Sequence, residues 1–263
     1  MAAGKIAIVT GGTFGIGRAI TCELARRAHR VVAVGLDARQ IGSEAANGAA
    51  GTREALAREQ LSAEILDGDV SIAADVKRVV DFALERYGGI DILVNNAAIH
   101  PRGTILDTSE DVWDRVIDVN LKGMFLTCKA AIPEMTRRGG GAIVNVGSGS
   151  GWGKPDLLAY SASKGGVFGF SAALAHDHLK DHIRVNVVVP GGTDTGMTAV
   201  AETNFGLTPM LRPRADVLDR MLRNTVSGRA NAPHDIAKAV AFLVSDDAAQ
   251  ISGAILTVGC FTQ

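Results

Sequence analysis

Short, uninterrupted runs of apolar residues, many of them β-branched, alternate along this chain with longer amphipathic stretches. The runs that predict strands are residues 5–10, 30–35, 63–70, 90–98, 141–148, 183–192 and 253–259. Helical periodicity is found between them, at residues 15–28, 73–88, 109–138, 157–180 and 233–245, with a further helix expected from about Thr52. Apolar strands joined through helices are typical of a parallel sheet that is buried on both faces.

The alternation therefore predicts an α/β chain with a doubly wound, Rossmann-type fold: a seven-stranded parallel sheet with helices on both faces. No repeat or linker divides the sequence, so we expect one domain over residues 1–263. Residues 193–228 carry few strand signals and are expected to form a lid over a ligand site. Residues 38–62 are long for a single connection.

Composition and charge exclude several classes of function. The 27 basic and 28 acidic residues give a net charge of −1 without a run of one sign, so we expect no nucleic-acid partner. No apolar segment is long enough to span a membrane and no signal-peptide pattern is found, so a cytoplasmic location is expected. Cys22, Cys128 and Cys260 are too far apart for a metal or disulfide framework. His178 and His182 are spaced like metal ligands but fit a solvated helix end, and no metal is predicted.

A glycine-rich turn follows the first strand and opens the first helix, in the sequence IVTGGTFGIGRAI. Gly11, Gly12, Gly15 and Gly17 let the backbone turn sharply and approach a ligand closely. The free N–H groups and the positive end of a helix favour a pyrophosphate. At this position in a parallel sheet, the turn predicts a dinucleotide site.

The order of further motifs resembles the short-chain dehydrogenase/reductase family. The cofactor turn of that family reads TGxxxGIG, as residues 10–17 do, and its NNAG and PGxxxT segments are matched by NNAA at 95–98 and PGGTDT at 190–195. The resemblance runs from about residue 5 to residue 258. It implies an oxidoreductase that uses a nicotinamide cofactor.

The resemblance also implies which residues contact that cofactor, with Asp69 and Val70 at the adenine. The predicted cofactor-binding residues are Gly11, Thr13, Phe14, Gly15, Ile16, Leu36, Asp37, Asp69, Val70, Asn96, Ala97, Tyr160, Lys164, Pro190, Thr193 and Thr195.

Charge near the second strand favours NAD over NADP. Family members that use NADP often carry a basic residue just before the second glycine of the turn or just after the second strand. Here Phe14 occupies the first position, and Leu36 and Asp37 follow the strand. The carboxylate of Asp37 would repel a 2′-phosphate and can accept a hydrogen bond from a ribose hydroxyl. Arg39 is close to Asp37 in the sequence and could bind a 2′-phosphate, so NADP is kept as the alternative coenzyme.

The predicted catalytic residues are Asn120, Ser148, Tyr160 and Lys164. Tyr160 is one of two tyrosines, and Lys164 follows it at i+4 on the same helical face. An ammonium, together with oxidised nicotinamide, would lower the phenol pKa from about 10 and make Tyr160 an acid/base. By resemblance, Ser148 bonds the substrate oxygen, with Ser150 as a rival, and Asn120 holds a water that relays protons through Lys164.

Substrate contacts are expected from Ser150, Trp152 and Met197, beside an apolar lid in which Arg212 and Arg214 could steer an acid or lie in solvent. His100 follows the NNAA segment and is interpreted as a loop histidine rather than a substrate contact. These features suggest a medium-sized, partly apolar alcohol or ketone.

The leading function is NAD(P)-dependent interconversion of a secondary alcohol and a ketone. One alternative is NADPH-dependent reduction of 3-oxoacyl thioesters. A second is a non-catalytic nucleotide-binding protein, which the presence of Tyr160 and Lys164 disfavours. By resemblance we expect a homotetramer built partly through residues 109–138 and 157–180, although GCF at 259–261 departs from the family's usual C-terminal VDGG.

Overall fold

A computed structural model of the chain describes residues 4–36, 48–193, 195 and 227–259. Its strands form one parallel sheet in the order β3-β2-β1-β4-β5-β6-β7. The strands are β1 (Ile6–Thr10), β2 (Arg30–Gly35), β3 (Glu64–Asp67), β4 (Ile92–Asn95), β5 (Gly141–Val146), β6 (Ile183–Pro190) and β7 (Ile255–Val258). The predicted seven-stranded, doubly wound sheet is confirmed.

Helices cover both faces of this sheet. They are α1 (Gly15–Arg26), α2 (Gly48–Arg58), α3 (Ala73–Tyr87), α4 (Glu110–Ile117), α5 (Gly123–Arg137), α6 (Leu158–Asp177) and α7 (Pro233–Val244). Apolar side chains of α1, α2 and α7 share one core with the strands, and those of α3, α5 and α6 share a second core. Because the central strands β1, β4, β5 and β6 are buried on both faces, they carry apolar residues almost without interruption.

Two helices differ from their predicted bounds. The single helix expected over 109–138 is interrupted by a π-helical turn at Asp118–Lys122, where Asn120 is fully buried. Helix α2 begins at Gly48 rather than near Thr52, and the buried Thr52 hydroxyl is shared between the carbonyl of Gly48 in the same helix and that of Thr13. The contacts of Asn120 and Thr52 with distant segments are not contained in the local periodicity.

A chain of buried side-chain hydrogen bonds connects the middle of the sheet to helix α6. Asn95 Nδ2 donates to Asn145 Oδ1 at 2.9 Å, and Asn145 Nδ2 donates to Ser171 Oγ at 2.8 Å. Thr127 Oγ1 donates to Asn95 Oδ1 at 2.7 Å, which adds helix α5 to the chain. Buried polar groups need such partners, so the network fixes α6 relative to β4 and β5.

The connections that follow β1 and β4 run in opposite directions along the sheet, since β1 leads to β2 on one side and its neighbour β4 leads to β5 on the other. A crevice therefore opens where the loops after β1 and β4 separate, at the carboxyl edge of the sheet. Most of the predicted ligand-binding positions in the described ranges lie at or just after the carboxyl ends of the strands. Among the helices of the described ranges, none has the length and apolarity of a membrane span.

Candidate active site

The four predicted catalytic residues reach the carboxyl edge of the sheet from three elements. Asn120 belongs to the π-helical turn, Ser148 follows β5, and Tyr160 and Lys164 lie in the first two turns of α6. Residues i and i+4 of a helix share a face, so Tyr160 and Lys164 lie side by side. The distance from Lys164 Nζ to the centre of the Tyr160 ring is 5.8 Å.

Tyr160 is almost completely buried, and burial disfavours a phenolate. Burial raises the pKa of Tyr160 to about 12, and a hydrogen-bonding interaction with the Ser148 hydroxyl offsets only part of this rise. The lowered pKa that the sequence analysis assigned to Lys164 and oxidised nicotinamide together does not arise from the protein groups alone. Within the protein, Tyr160 is a proton donor.

Lys164 is fully buried, which is unusual for a lysine. Its Nζ donates to the backbone carbonyl of Val146, the last residue of β5, at 2.7 Å. Burial lowers the pKa of Lys164 to about 7. The amine is therefore held in one place and is ready to gain or lose a proton near neutral pH.

The two serines that follow β5 are distinguished by their contacts. The Ser148 hydroxyl interacts with the Tyr160 phenol and also accepts from the backbone N–H of Ser150 at 3.2 Å. Ser150 is the second residue of a short 3₁₀ helix, Gly149–Trp152, for which Ser148 is the N-cap. This geometry favours Ser148 over Ser150 as the hydroxyl beside the phenol.

Asn120 uses its side-chain amide to hold the loop that follows β4. Its Oδ1 accepts from Ile99 N at 2.8 Å, and its Nδ2 donates to Ile99 O at 2.9 Å and to Ser163 Oγ at 3.0 Å. Ser163 in turn donates to the carbonyl of Tyr160 at 2.8 Å. The side chain thus joins the loop to α6 directly, and the expected water relay stays a prediction.

The glycine turn has the features that a pyrophosphate requires. Helix α1 begins without a side-chain cap and without an acidic residue in its first turn, so no side chain of that turn neutralises the positive end of the helix. A Cβ on Gly11 would lie 2.8 Å from Asn96 Nδ2, and one on Gly17 would lie 1.9 Å from Gly11 O. The Gly15 backbone faces Thr195, whose Cβ would lie 3.5 Å from a Cβ at Gly15. These residues therefore fit a dinucleotide.

Hydrogen bonds join the loops after β1 and β4 at the bottom of the crevice. Thr10 Oγ1 accepts from the N–H groups of Asn96 and Ala97, at 3.0 and 3.1 Å. Asn96 Nδ2 donates back to the carbonyls of Thr10 and Gly11. Asn96 and Ala97, which were predicted to contact the cofactor, are thereby fixed beside the glycine turn.

At the expected adenine end, the Asp69 carboxylate is already engaged by protein groups. It accepts from Arg115 Nη2 at 2.7 Å and from the Ser71 hydroxyl and N–H at 2.6 and 2.9 Å, and these bonds outweigh burial and lower its pKa. A narrow apolar cavity lies beneath, lined partly by Val34 and Val70. The ion pair with Arg115 was not predicted, because the two residues lie far apart in the sequence.

Two further contacts near the turn were missed by the sequence analysis. Arg18 donates to Thr52 Oγ1 at 3.1 Å and to Thr13 O at 3.3 Å, which places a guanidinium beside the glycine turn.

Among the other predicted cofactor residues, those at the crevice edge are Thr13, Phe14, Ile16, Leu36, Pro190 and Thr193. The predictions for Asp37 and Met197, and those for Arg39, Arg212 and Arg214, concern residues outside the described ranges.

His100 lies in a loop, as predicted, but it also packs against the predicted acid/base. Its ring meets the Tyr160 ring edge-on, with 4.4 Å between the centroids. Trp152 is 53% exposed and stacks at 4.8 Å on Phe168, so it presents an apolar surface at the same edge. The signal for His100 was its position just after the NNAA segment.

The histidines at the end of α6 have ordinary structural contacts. His178 Nδ1 lies 2.7 Å from Asp181 Oδ2, and His182 adopts a left-handed φ of 57° just before β6. No cluster of three or more metal-ligating side chains is found within the part of the chain that the structure describes.

Comparisons with known proteins agree on one family. The profile of the short chain dehydrogenase family matches residues 5–205. Dehydrogenase/reductase SDR family member 4 of Sus scrofa is 36% identical, covering 97% of this chain and 86% of that protein. The 3-oxoacyl-[acyl-carrier-protein] reductase FabG of Chlamydia trachomatis is also 36% identical, over 97% and 95%. The solved structure of an actinorhodin polyketide ketoreductase variant with NADPH has a TM-score of 0.84 and 31% identity, over 97% and 95% of the two chains.

The lowered pKa of Lys164 predicts a specific dependence of stability on pH. Between about pH 7 and the ordinary lysine value of 10.5, the unfolded chain holds a proton that the folded chain lacks, so the free energy of unfolding rises with pH. The slope from this group is at most about 1.4 kcal/mol per pH unit. The raised pKa of Tyr160 acts in the opposite sense, but only above about pH 10. Lys164→Met should flatten the rise measured by urea unfolding from pH 7 to 10.

The matched control is Lys238→Met, which changes an exposed lysine on α7 and should keep the wild-type slope. An unchanged slope in Lys164→Met would contradict the assigned pKa.

Proposed function

Because the chain belongs to the short-chain dehydrogenase/reductase family, and is therefore an NAD(P)-dependent oxidoreductase, we propose that it interconverts a secondary alcohol and a ketone. The observation that carries the proposal is the pairing of a buried phenol and a buried ammonium, Tyr160 and Lys164, beside a glycine turn suited to a dinucleotide. We propose that residues 1–263 form one domain whose lid spans about residues 193–228.

The bound coenzyme would supply or accept the hydride, and side chains of the protein would donate or accept the proton. In the direction of reduction, the protonated Tyr160 phenol donates to the substrate oxygen as negative charge develops there. The Ser148 hydroxyl donates a hydrogen bond to the same oxygen and stabilises that charge. In the direction of oxidation, Tyr160 takes the hydroxyl proton back.

Lys164 acts through its charge and through its fixed position. Its amine, held by the Val146 carbonyl, stabilises a phenolate on Tyr160 whenever the amine is protonated. A pKa near 7 lets the same amine pass a proton onward. We propose that Asn120 supports this transfer by ordering a water next to Lys164, in addition to its contacts with Ile99 and Ser163.

We propose NAD as the preferred coenzyme, with NADP as the alternative. Phe14 lies in the turn where relatives that use NADP often carry a basic residue, and Leu36 follows β2. The carboxylate expected at Asp37 would repel a 2′-phosphate. The positive charge of Arg18 favours a 2′-phosphate and therefore NADP. Its guanidinium, however, already donates hydrogen bonds to Thr13 and Thr52.

A second candidate function is the NADPH-dependent reduction of 3-oxoacyl thioesters. It is favoured by the similarity to a 3-oxoacyl-[acyl-carrier-protein] reductase and to a polyketide ketoreductase solved with NADPH. The exposed apolar surface of Trp152 is equally compatible with an acyl chain and with a compact ketone.

We also propose that the protein is a homotetramer. Large apolar side chains are exposed on the helices expected at the interface, with Trp113 on α4 at 37% and Phe125 on α5 at 46%. Light scattering should give about four times the chain mass. A monomer at every concentration would exclude this assembly.

Tyr160→Phe should reduce kcat by about 10²-fold to 10⁴-fold, because it removes the proton donor and keeps the ring. The dissociation constant of the coenzyme, measured by protein fluorescence, should change by less than about threefold. The chain offers a matched control in its other tyrosine, Tyr87, which lies at the end of α3 and far from the crevice. Tyr87→Phe should keep full activity, and substantial turnover by Tyr160→Phe would show that another group is the acid/base.

Initial rates with both coenzymes test the coenzyme preference. With any alcohol that is turned over, kcat/KM for NAD should exceed that for NADP by at least about tenfold, which corresponds to about 1.4 kcal/mol. Asp37→Ser should narrow the ratio by raising kcat/KM for NADP. A wild-type preference for NADP would reverse the assignment and favour the second candidate function.

A further inference from the structure

The loop that follows β4 places His100 against the Tyr160 ring, and Arg102, two residues further on, is close enough for its charge to act on His100. We call residues 99–103 the mouth segment. At one end, Ile99 is bonded through both its N–H and its C=O to Asn120. At the other end, Gly103 N donates to Asp156 O at 2.9 Å, and Leu158 N donates to Gly103 O at 3.1 Å. The segment is thus fixed at both ends to elements of the catalytic site.

His100 is the residue of the mouth segment that touches the phenol. Its edge-on contact, with 4.4 Å between the ring centroids, places the imidazole directly against the Tyr160 ring. Burial, followed by the charges of Arg102 and Lys154, lowers the pKa of His100 to about 4. The imidazole is therefore neutral at physiological pH, and the field around it is positive.

Arg102, two residues further on, has donor capacity that the protein does not use. Its Nε is shielded from solvent and has no hydrogen-bond partner in the described ranges. Asp156 contacts the mouth segment through its main-chain carbonyl, which accepts from Gly103 N, and no ion pair between Arg102 and Asp156 is found among the described residues. A shielded guanidinium nitrogen without a partner is costly, and a planar carboxylate satisfies it well.

We propose that Arg102, assisted by His100, binds a carboxylate of the substrate, so that the enzyme acts on oxo acids and hydroxy acids. This inference rests on the proposed alcohol/ketone chemistry and narrows it. One guanidinium and one neutral imidazole match a monoanion better than a dianionic phosphate. The carboxylate is bound and takes no part in bond making, so the proton and the hydride follow the paths described above.

The test compares acids with their neutral counterparts. Initial rates are measured with NADH and with NADPH on a panel of 2-oxo, 3-oxo and 4-oxo acids of four to six carbons, and on their methyl esters. At least one acid should exceed its ester in kcat/KM by tenfold or more. Arg102→Gln should lower kcat/KM for that acid by about 10-fold to 100-fold, mainly through KM, and should leave the ester within about threefold.

Two variants control for structure and charge. Arg102→Lys keeps the charge but loses the planar fork, so activity on the acid should be intermediate. Arg137→Gln removes an arginine that precedes β5, at the opposite edge of the sheet, and should have no effect on the acid-to-ester ratio. Thermal unfolding and coenzyme binding are recorded for each variant, and His100→Phe reports whether the imidazole contributes.

The possible results distinguish a failure of the carboxylate site from a failure of the proposed alcohol/ketone chemistry. If neutral ketones are reduced but no acid is preferred over its ester, or if Arg102→Gln lowers both equally, the carboxylate site is wrong and the alcohol/ketone chemistry stands. If no ketone, acid or ester reacts with either coenzyme, the proposed function itself fails.

Discussion

The buried ammonium of Lys164 is the constraint on which the rest of the site depends. A lysine is rarely placed in a protein interior, because desolvation of its charge is costly. Here one strong hydrogen bond to the last carbonyl of β5 fixes the amine. That bond requires helix α6 to begin at a defined distance from the sheet, and the same spacing brings Tyr160 alongside Ser148. The sheet thus sets the geometry of the proton chemistry.

The polar network below the site explains how this spacing is kept. Asn95 and Asn145 lie on neighbouring central strands, and their amides connect to Thr127 and Ser171 on the two helices above. Apolar packing alone tolerates small shifts of a helix along a sheet, whereas directional hydrogen bonds in a dry interior do not. The Asn120 side chain fixes the mouth segment in the same way, through hydrogen bonds to the N–H and C=O of Ile99. Helix, strand ends and loop are therefore fixed relative to one another before any ligand binds.

The sequence was sufficient for the architecture and for the order of the motifs, because uninterrupted apolar strands and i,i+4 spacing are local signals. It was insufficient wherever a contact joins distant segments. The π-helical turn at Asn120 reflects bonds to Ile99 and Ser163, and the Asp69–Arg115 pair joins β3's exit to helix α4. The placement of His100 on Tyr160 is of the same kind. None of these contacts leaves a periodic trace in the residues that make them.

The pKa values of the two central groups show why the phenol and the amine work as a pair. Burial holds the proton on Tyr160 and tends to remove it from Lys164, so the protein alone favours a neutral phenol beside an amine that titrates near pH 7. Such a pair is suited to donate a proton to a developing alkoxide. Abstraction of a proton from an alcohol needs additional positive charge near the phenol, which oxidised nicotinamide carries. In the function proposed above, the charge of the coenzyme would therefore be linked to the protonation of Tyr160, because oxidised nicotinamide would favour the phenolate and the reduced form would favour the phenol.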